Sequence, residues 1–335
     1  MNLRGTTTLV LPIEEISQVG HARRLAQRLA EDSGFTPGDS GRVALVTTEL
    51  ATNLLRHARQ GALHLRQIPG QAQPGIEVVA IDRGPGFDLQ ACLADGYSTG
   101  GTPGTGLGAL VRQADVFDAY VDSRGAILLA RFYPTGSPAG DCRFGVSQHA
   151  LHQLPACGDV WHLAIDGLKI SALVIDGLGH GEDAEAAARA GEAAFAAQPF
   201  AALEPLLADM HQAMQGSRGG AVAVAQFDGE QRLDFAGIGN IGATLLGAGQ
   251  SRGLASHPGI VGVQFRKVHA FSYPQANGQL LLLYSDGLQS RWNLADYPGL
   301  IHRHPAVIAA VLQRDYCRGS DDVTVLAVAL EASRD

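Results

Sequence analysis

A stretch rich in proline, glycine and serine, Pro134 to Asp141, divides the chain into two parts with different patterns. Because the chain has 335 residues, it exceeds one ordinary hydrophobic core, and two domains are expected. Long amphipathic helical patterns precede the stretch, and short β-like runs follow it. We therefore predict a first domain over residues 1–135, a linker over 136–142 and a second domain over 143–335.

Composition excludes several classes of protein. Apolar residues make up 46% and charged residues 17%, which is typical of a soluble globular protein. The net charge of −8 argues against a nucleic-acid partner, since such a surface needs a basic stripe. No segment has about 18 consecutive apolar residues, so no membrane-spanning helix is expected. The four cysteines are scattered, which predicts neither a disulfide framework nor a zinc–thiolate site and favours a cytoplasmic location.

The hydrophobic pattern predicts a regular order of helices and strands. In the first part, period-2 and period-3.6 patterns predict an edge strand over Thr6–Leu11, then two helices, two paired strands, a short helix and two further strands. The second part predicts antiparallel strands interrupted by two helices, an α/β sandwich pattern. The two long helices of the first part are expected at Ile13–Ser33 and Ser40–Arg59, with a turn over Gly34–Ser40.

The second predicted helix carries Glu49 and Asn53, four residues apart and therefore on one face. An asparagine amide oxygen is a suitable ligand for Mg²⁺, and a glutamate can take a proton from an incoming hydroxyl. Asp82 ends a predicted strand, where a carboxylate can accept a hydrogen bond from the amine of adenine. These positions predict a pocket for Mg²⁺ and ATP.

Glycine-rich segments accompany these polar residues. Gly84 and Gly86 follow Asp82, and the segment Gly104-Thr105-Gly106-Leu107-Gly108 opens a short helix. Glycines let the backbone approach a base or phosphates, and the free N–H groups of a helix start attract anions. A lone Glu/Asn pair is usually a solvated helix face, and a lone Gly-x-Gly is usually a turn. In this order and spacing, the features together predict nucleotide binding.

Three segments carry a resemblance to a known family. They are Thr47–Ala58 (TTELATNLLRHA), Ile81–Phe87 (IDRGPGF) and Gly101–Leu110 (GTPGTGLGAL). They resemble the N, G1 and G2 boxes of the GHKL ATPase fold, in the branch of anti-sigma-factor kinases and stressosome switch kinases. The resemblance covers about residues 8–133.

That resemblance implies a role for each matching residue. Asn53 would bind Mg²⁺, Asp82 would read adenine, and Glu49 would be the catalytic base for transfer to a protein serine or threonine. Relatives of this domain often dimerise, so a homodimer is possible. The glycines around the base and the phosphates would be Gly84, Gly86, Gly104, Gly106 and Gly108.

Acidic residues recur at strand ends of the second part: Asp159, Asp176, Asp286 and the pair Asp321-Asp322. Carboxylates on adjacent strands could hold two divalent ions that clamp a phosphate and activate a water. A single Asp-Gly is often only a turn. Asp176 and Asp286 differ, because each follows a strongly apolar strand where a carboxylate needs a counter-charge.

These acidic motifs resemble the SpoIIE-like branch of the PPM metal-dependent Ser/Thr phosphatases, which includes the stressosome feedback phosphatase. The resemblance runs from about Cys142 to Ala329, with Cys157-Gly158-Asp159 in place of the usual Gly-Gly-Asp. It implies two Mn²⁺ or Mg²⁺ ions, with Asp176 as the bridging ligand at the catalytic centre and Asp322 as a mere neighbour of a ligand. The implied metal ligands are Asp159, Asp176, the carbonyl of Gly177, Asp286 and Asp321.

Together the resemblances imply an α+β chain in which an N-terminal GHKL (Bergerat) α/β sandwich precedes a PPM-type α/β sandwich. The expected activity is that of a Ser/Thr kinase and metal-dependent phosphatase acting on STAS-domain antagonist or stressosome proteins in bacterial partner switching. Two alternatives stay open, a phosphatase whose first domain only binds ATP or docks a partner, and a scaffold without activity. A serine hydrolase is not favoured, because Ser285 lacks the Gly-x-Ser-x-Gly elbow.

Overall fold

The computed structural model describes residues 1–4, 8–69, 73–93, 107–137, 141–247, 249–265 and 268–331. The chain forms two compact units. One comprises Thr6–Cys142, and the other comprises Arg143–Asp335 together with Met1–Gly5. The first strand, β1 (Asn2–Arg4), therefore belongs to the unit that is otherwise built from the C-terminal part.

The first unit, Thr6–Cys142, has one antiparallel sheet with helices on one face. Its elements are β2 (Leu9–Pro12), α1 (Ile16–Asp32), α2 (Pro37–His57), β3 (Ala62–Ile68), β4 (Gly75–Ile81), α3 (Leu89–Leu93), α4 (Leu107–Gln113), β5 (Val116–Asp122) and β6 (Gly125–Phe132). The strand order is β2-β3-β4-β6-β5. Helices α1 and α2 pack against each other and against β3 and β4.

Small residues let α1 approach its neighbours closely. The buried positions of this helix recur at three- and four-residue steps, as a core-facing stripe requires. They are Val19, Ala22, Ala26 and Ala30. Strand residues such as Leu63, Leu65 and Val78 belong to the same hydrophobic core. The unit is thus a two-layer α/β sandwich. Helix α2 packs one face on the core and carries Glu49 and Asn53 outside that buried face.

Helix α2 begins earlier than the hydrophobic pattern predicts. The prediction of a turn over Gly34–Ser40 is wrong for the second half of that segment, because the helix starts at Pro37. Thr36 caps the helix, and its hydroxyl oxygen accepts a hydrogen bond from the Asp39 N–H at 3.2 Å. Proline is well suited to the first helical position, which needs no N–H donor. Capping therefore sets the start of this helix three residues before the apolar stripe becomes visible.

The second unit contains two facing antiparallel sheets. Its elements after β1 are β7 (Phe144–His149), β8 (Asp159–Asp166), β9 (Lys169–Gly177), α5 (Glu182–Ala197), α6 (Leu203–Met214), β10 (Gly220–Phe227), β11 (Leu233–Ile238), β12 (Gly242–Gly247), β13 (Gln250–Gly253), β14 (Gly259–Ile260), β15 (Gln264–Phe265), β16 (Phe271–Tyr273), β17 (Leu280–Tyr284), α7 (Pro305–Tyr316) and β18 (Val323–Ala329). The sheet orders are β1-β8-β9-β10-β11-β16 and β13-β12-β17-β18-β7, beside the hairpin β14-β15.

These two sheets pack face to face, with β18 against β8 and β17 against β9. Helices α5 and α6 cover the outer face of the first sheet, and α7 packs on β7 and β18 of the second. The α+β class with two α/β sandwiches, predicted from the sequence, is confirmed. Within the described residues, no helix combines the length and the apolar character that crossing a membrane requires.

Helix α7 was not predicted from the sequence. Nearly all of its residues are buried, so its sequence shows an apolar run without a helical period. Its start is marked by Pro305 at the first position and by His304, whose ring nitrogen accepts the Ala306 N–H at 3.1 Å. Cap and proline signals, rather than periodicity, could have located this helix.

Candidate functional site

Helix α2 presents the two polar residues of the predicted nucleotide pocket. Glu49 and Asn53 are both partly buried and stand one turn apart. The helix is fixed near both ends. Arg42 donates to the last carbonyl of α4 at 3.1 Å. The Arg83 N–H, in the loop after β4, donates to the Arg59 carbonyl at 2.9 Å. Along α2, Glu49 and Asn53 therefore lie between Arg42, which contacts α4, and the C-terminal end of the helix, which is followed by the contact with the loop after Asp82.

Asp82 lies immediately after β4 and is only 8% exposed. Its N–H donates to the Ala126 carbonyl at 3.0 Å, and its carboxylate accepts the Gly84 N–H at 2.5 Å. The loop needs glycine at Gly86, where φ is +75° and a Cβ would lie 2.3 Å from the Asp122 carbonyl oxygen. A buried carboxylate held at the end of a strand fits the predicted acceptor for an adenine amine.

The phosphate side of the predicted pocket is described only in part. Leu107 and Gly108 begin α4, and both are buried. Gly104, Thr105 and Gly106 lie outside the described residues. Their contact with the nucleotide phosphates stays a prediction.

The carboxylates of the second unit come together from both sheets. Asp159 opens β8, and Asp176 occupies the directly opposite position near the end of β9. Asp286 follows the end of β17, and Asp321 precedes the start of β18, which pairs with β17. Because β18 packs against β8 and β17 against β9, the four side chains gather where the two sheets meet.

The charges of these residues act on one another. Burial and the neighbouring Asp176 raise the pKa of Asp159 well above its usual value. Burial together with Asp286, Asp321 and Asp322 raises the pKa of Asp176 to about 7. Burial, Asp286 and Asp322 also raise the pKa of Asp321. The structure thus places the predicted ligands within one strongly negative region.

Such a cluster fits divalent cations. Buried carboxylates that raise one another's pKa need a counter-charge, and carboxylate oxygens are ligands that Mg²⁺ and Mn²⁺ accept. In the described part of the chain, no three His, Cys, Asp or Glu side chains form a group that could hold one metal ion as they stand. The fit therefore rests on the donor chemistry and the electrostatics, and the ligand assignments stay predictions.

Two supporting residues were missed from the sequence. Ser285 is fully buried, and its hydroxyl donates to Asp159 at 2.6 Å while accepting the Thr324 N–H at 2.9 Å. The Asn240 amide donates to Asp286 at 2.7 Å. From the sequence, Ser285 is considered only as a nucleophile, because the contact with Asp159 joins residues that lie 126 positions apart in the chain.

The unusual Cys157 of the first acidic motif is not a thiolate. Burial, Asp159 and Asp322 raise the pKa of its thiol, so it stays protonated at neutral pH. The turn that follows is tied to the second acidic motif, because the Gly177 N–H donates to the Gly158 carbonyl at 3.0 Å. The cysteine therefore leaves the turn intact.

Comparison with known proteins identifies relatives of the first unit. Residues 14–132 match the histidine kinase-like ATPase domain. The serine/threonine-protein kinase RsbT of Bacillus subtilis (strain 168) is 34% identical over 97 residues, which cover 29% of this chain and 73% of RsbT.

Solved structures are similar to larger parts of the chain. One solved structure is 26% identical to this chain with a TM-score of 0.52. It comes from work on the bacterial stressosome, a modular system that has been adapted to control secondary messenger signaling. That match covers 56% of this chain and 99% of the other. The PP2C phosphatase domain of SpoIIE from Bacillus subtilis, with a fragment of its regulatory domain, is 13% identical with a TM-score of 0.49, and covers 95% of this chain and 98% of its own. The resemblance drawn from the sequence of the first part recurs in the matches to the histidine kinase-like ATPase domain and to RsbT. Through its first unit, the chain belongs to the histidine kinase-like ATPase family, where it is similar to the kinase RsbT.

Proposed function

We propose that the chain is a bifunctional enzyme, with a Ser/Thr protein kinase in its first unit and a metal-dependent Ser/Thr phosphatase in its second. The observation that carries the phosphatase half is the pairing of Asp159 with Asp176, within reach of the charges of Asp286 and Asp321. The kinase half is supported by similarity to RsbT, by the position of Glu49 and Asn53 on one face of α2, and by the buried Asp82 at the end of β4.

In the kinase half, each residue has a defined task. Asn53 would ligate Mg²⁺, and Asp82 would accept a hydrogen bond from the adenine amine. Glu49, one turn before Asn53, would take the proton of a substrate hydroxyl as the hydroxyl oxygen attacks the γ-phosphorus, while the bond from that phosphorus to the β-phosphate oxygen breaks and ADP leaves. Bound Mg²⁺ supplies positive charge to the phosphates.

In the phosphatase half, Asp159, Asp176, Asp286 and Asp321 would hold two Mn²⁺ or Mg²⁺ ions, with the carbonyl of Gly177. Bound ions supply the charge that clamps a phosphate and lowers the pKa of a water. The chain's own residues keep these ligands oriented. Ser285 directs one oxygen of Asp159, and Asn240 directs one oxygen of Asp286. Fixed ligands bind a metal ion more tightly than mobile ones.

For the substrates, we infer STAS-domain antagonist or stressosome proteins, as the resemblance to anti-sigma-factor and stressosome kinases implies. A kinase and a phosphatase that shared one phosphosite without control would only consume ATP. The two activities therefore act on different phosphosites, or a ligand or the oligomeric state selects between them. A cytoplasmic location fits a consumer of ATP.

The phosphatase half is tested with a STAS-domain protein that carries phosphoserine or phosphothreonine. We expect release of phosphate that requires Mn²⁺ or Mg²⁺, is stopped by a chelator and is lost in Asp286→Asn. The matched control is Asp209→Asn, an exposed aspartate on α6 that should keep full activity. Release that continues in Asp286→Asn or in the chelator would contradict the assignment.

The kinase half is tested by ATP binding and by phosphate transfer. Asp82→Asn should abolish ATP binding, whereas Glu49→Ala should bind ATP and fail to transfer phosphate. If wild-type protein binds ATP and transfers nothing to any STAS-domain protein, the first unit is a nucleotide sensor or a docking domain, and the kinase half is wrong.

A further inference from the structure

We propose that Asp322 is a positioning residue, which holds the four carboxylate-bearing segments of the second unit in register. This inference rests on the proposed phosphatase function and adds a residue to it. From the sequence alone, Asp322 is interpreted only as the neighbour of the predicted ligand Asp321. The structure gives its side chain and its main chain separate contacts with the other segments.

The carboxylate of Asp322 is buried, with 3% of the residue exposed. One oxygen accepts the Leu151 N–H and the other accepts the Gly158 N–H, each at 2.7 Å. These partners are 171 and 164 residues away in the chain. The side chain therefore fastens the loop between β7 and β8 to the start of β18.

Gly158 connects Asp322 to strands β8 and β9. It directly precedes Asp159, and its carbonyl accepts the Gly177 N–H at 3.0 Å, one residue after Asp176. The N–H and the carbonyl of one glycine thus join Asp322 to the segments that carry Asp159 and Asp176. A shift of Gly158 would move both carboxylates.

The main chain of Asp322 meets the remaining segment. A Cβ at Gly287 would lie 2.0 Å from the Asp322 carbonyl oxygen, so the turn after Asp286 is seated directly on this residue. Asp321 is its immediate neighbour in sequence. Each of the four predicted carboxylate ligands is therefore next to Asp322 itself or next to a residue that contacts Asp322 directly or through Gly158.

The geometry requires a carboxylate at this position. Two backbone N–H groups point at two oxygens, and a carboxylate offers one acceptor oxygen to each of them. Asparagine has nearly the same shape but offers one acceptor oxygen. Its NH₂ group would face the N–H of either Leu151 or Gly158, and that buried donor would lose its partner.

The test compares Asp322→Asn with the matched variant Asp321→Asn, one residue away. Without metal or substrate, hydrogen exchange is measured at the amides of Leu151 and Gly158. We expect exchange at least about tenfold faster in Asp322→Asn at whichever of the two amides loses its acceptor, since one lost bond is worth a factor of this order. Asp321→Asn should exchange as the wild type does at both amides.

Calorimetric titration with Mn²⁺ alone supplies the second readout. Asp322→Asn should keep the number of bound ions but bind them about 10-fold to 100-fold more weakly, as for residues that orient ligands. Asp321→Asn, which lacks a ligand, should lose a bound ion. Asp322→Glu, which keeps both oxygens, should recover part of the affinity.

Unchanged exchange at both amides, or unchanged Mn²⁺ affinity in Asp322→Asn, overturns the proposal. Faster exchange with unchanged affinity would mean that Asp322 is only structural. If Asp322→Asn does not fold, Asp322→Glu is compared with wild type by both readouts, and equality overturns the proposal. If wild-type protein binds no Mn²⁺ or Mg²⁺, the proposed phosphatase function fails, and with it the positioning role.

Discussion

Asp159 and Asp176 stand directly opposite each other on the antiparallel strands β8 and β9. Like charges at opposite positions of a strand pair repel, and burial strengthens the repulsion. Without metal ions, the pair Asp159 and Asp176 therefore either keeps a proton or destabilises the fold by charge repulsion. The proposed phosphatase needs divalent cations at this same place. This relationship leads to the first prediction.

The metal-free second unit should lose stability as the pH rises. The folded pKa of Asp176 is about 7 against an ordinary value of 3.8. Between these values the folded state keeps a proton that the unfolded chain releases, so each step up in pH favours unfolding. Asp176→Asn should weaken this dependence and raise the unfolding temperature at pH 8.

This pH dependence is measured by calorimetry with a chelator from pH 5 to pH 8. The exposed Asp166→Asn, at the far end of β8, is the control and should retain the wild-type slope. Equal slopes in Asp176→Asn and wild type would show that Asp176 does not carry the predicted charge interaction.

The first unit should lose stability as the pH falls into the acidic range, because of Asp39. Burial works to raise the pKa of this group, but hydrogen bonds from Thr135, Thr36 and Arg42 outweigh it and lower the pKa to about 2. The stabilisation is complete above the ordinary value of 3.8 and is lost as the pH falls towards 2.

Asp39→Asn should therefore destabilise the first unit at pH 7 by up to about 2 kcal/mol and flatten its response between pH 4 and pH 2. Denaturant unfolding of wild type and variant at several pH values measures the difference. Asp32→Asn, exposed at the end of α1, is the control. An Asp39→Asn variant as stable as wild type at pH 7 would contradict the assignment.

Glu77 should be indispensable to the stability of the first unit. Its buried carboxylate bridges the guanidinium groups of Arg66 at 2.5 Å and Arg131 at 2.7 Å. Glu77→Gln would leave the buried Arg66 without the carboxylate that it contacts, whereas Arg131 would keep its ion pair with Asp141. Removing one partner of a buried ion pair costs about 3–5 kcal/mol. Chemical unfolding measures this loss.

The matched control for Glu77 is an exposed ion pair. Glu331 lies 3.1 Å from Arg143, with side chains 56% and 48% exposed. Glu331→Gln should change the free energy of unfolding by less than about 1 kcal/mol, since exposed pairs contribute little. Equal effects of Glu77→Gln and Glu331→Gln would refute the account of the buried pair.

Local patterns account for what could be predicted from the sequence. Glu49 and Asn53 were found because helical spacing puts them on one face, and Asp176 because an apolar strand leads into it. Both signals lie within a few residues. The predicted strands of the second part also follow short apolar runs bounded by turn residues.

What could not be predicted depends on distant parts of the chain. Strand β1 has only three residues and exists because it pairs with Leu163 and its neighbours on β8. Helix α7 is buried on all sides and shows no period. The role of Asp322 depends on two backbone N–H groups more than a hundred residues away.

The most direct test of the central claim follows label from γ-labelled ATP onto a STAS-domain protein, with Mg²⁺ and Mn²⁺ present. We predict that Asp176→Asn accumulates label on a serine or threonine, and that added wild-type protein removes it. Combining Glu49→Ala with Asp176→Asn should leave no label. If Asp176→Asn binds ATP but transfers no label, or if wild-type protein cannot remove label that was transferred, one chain does not contain both activities.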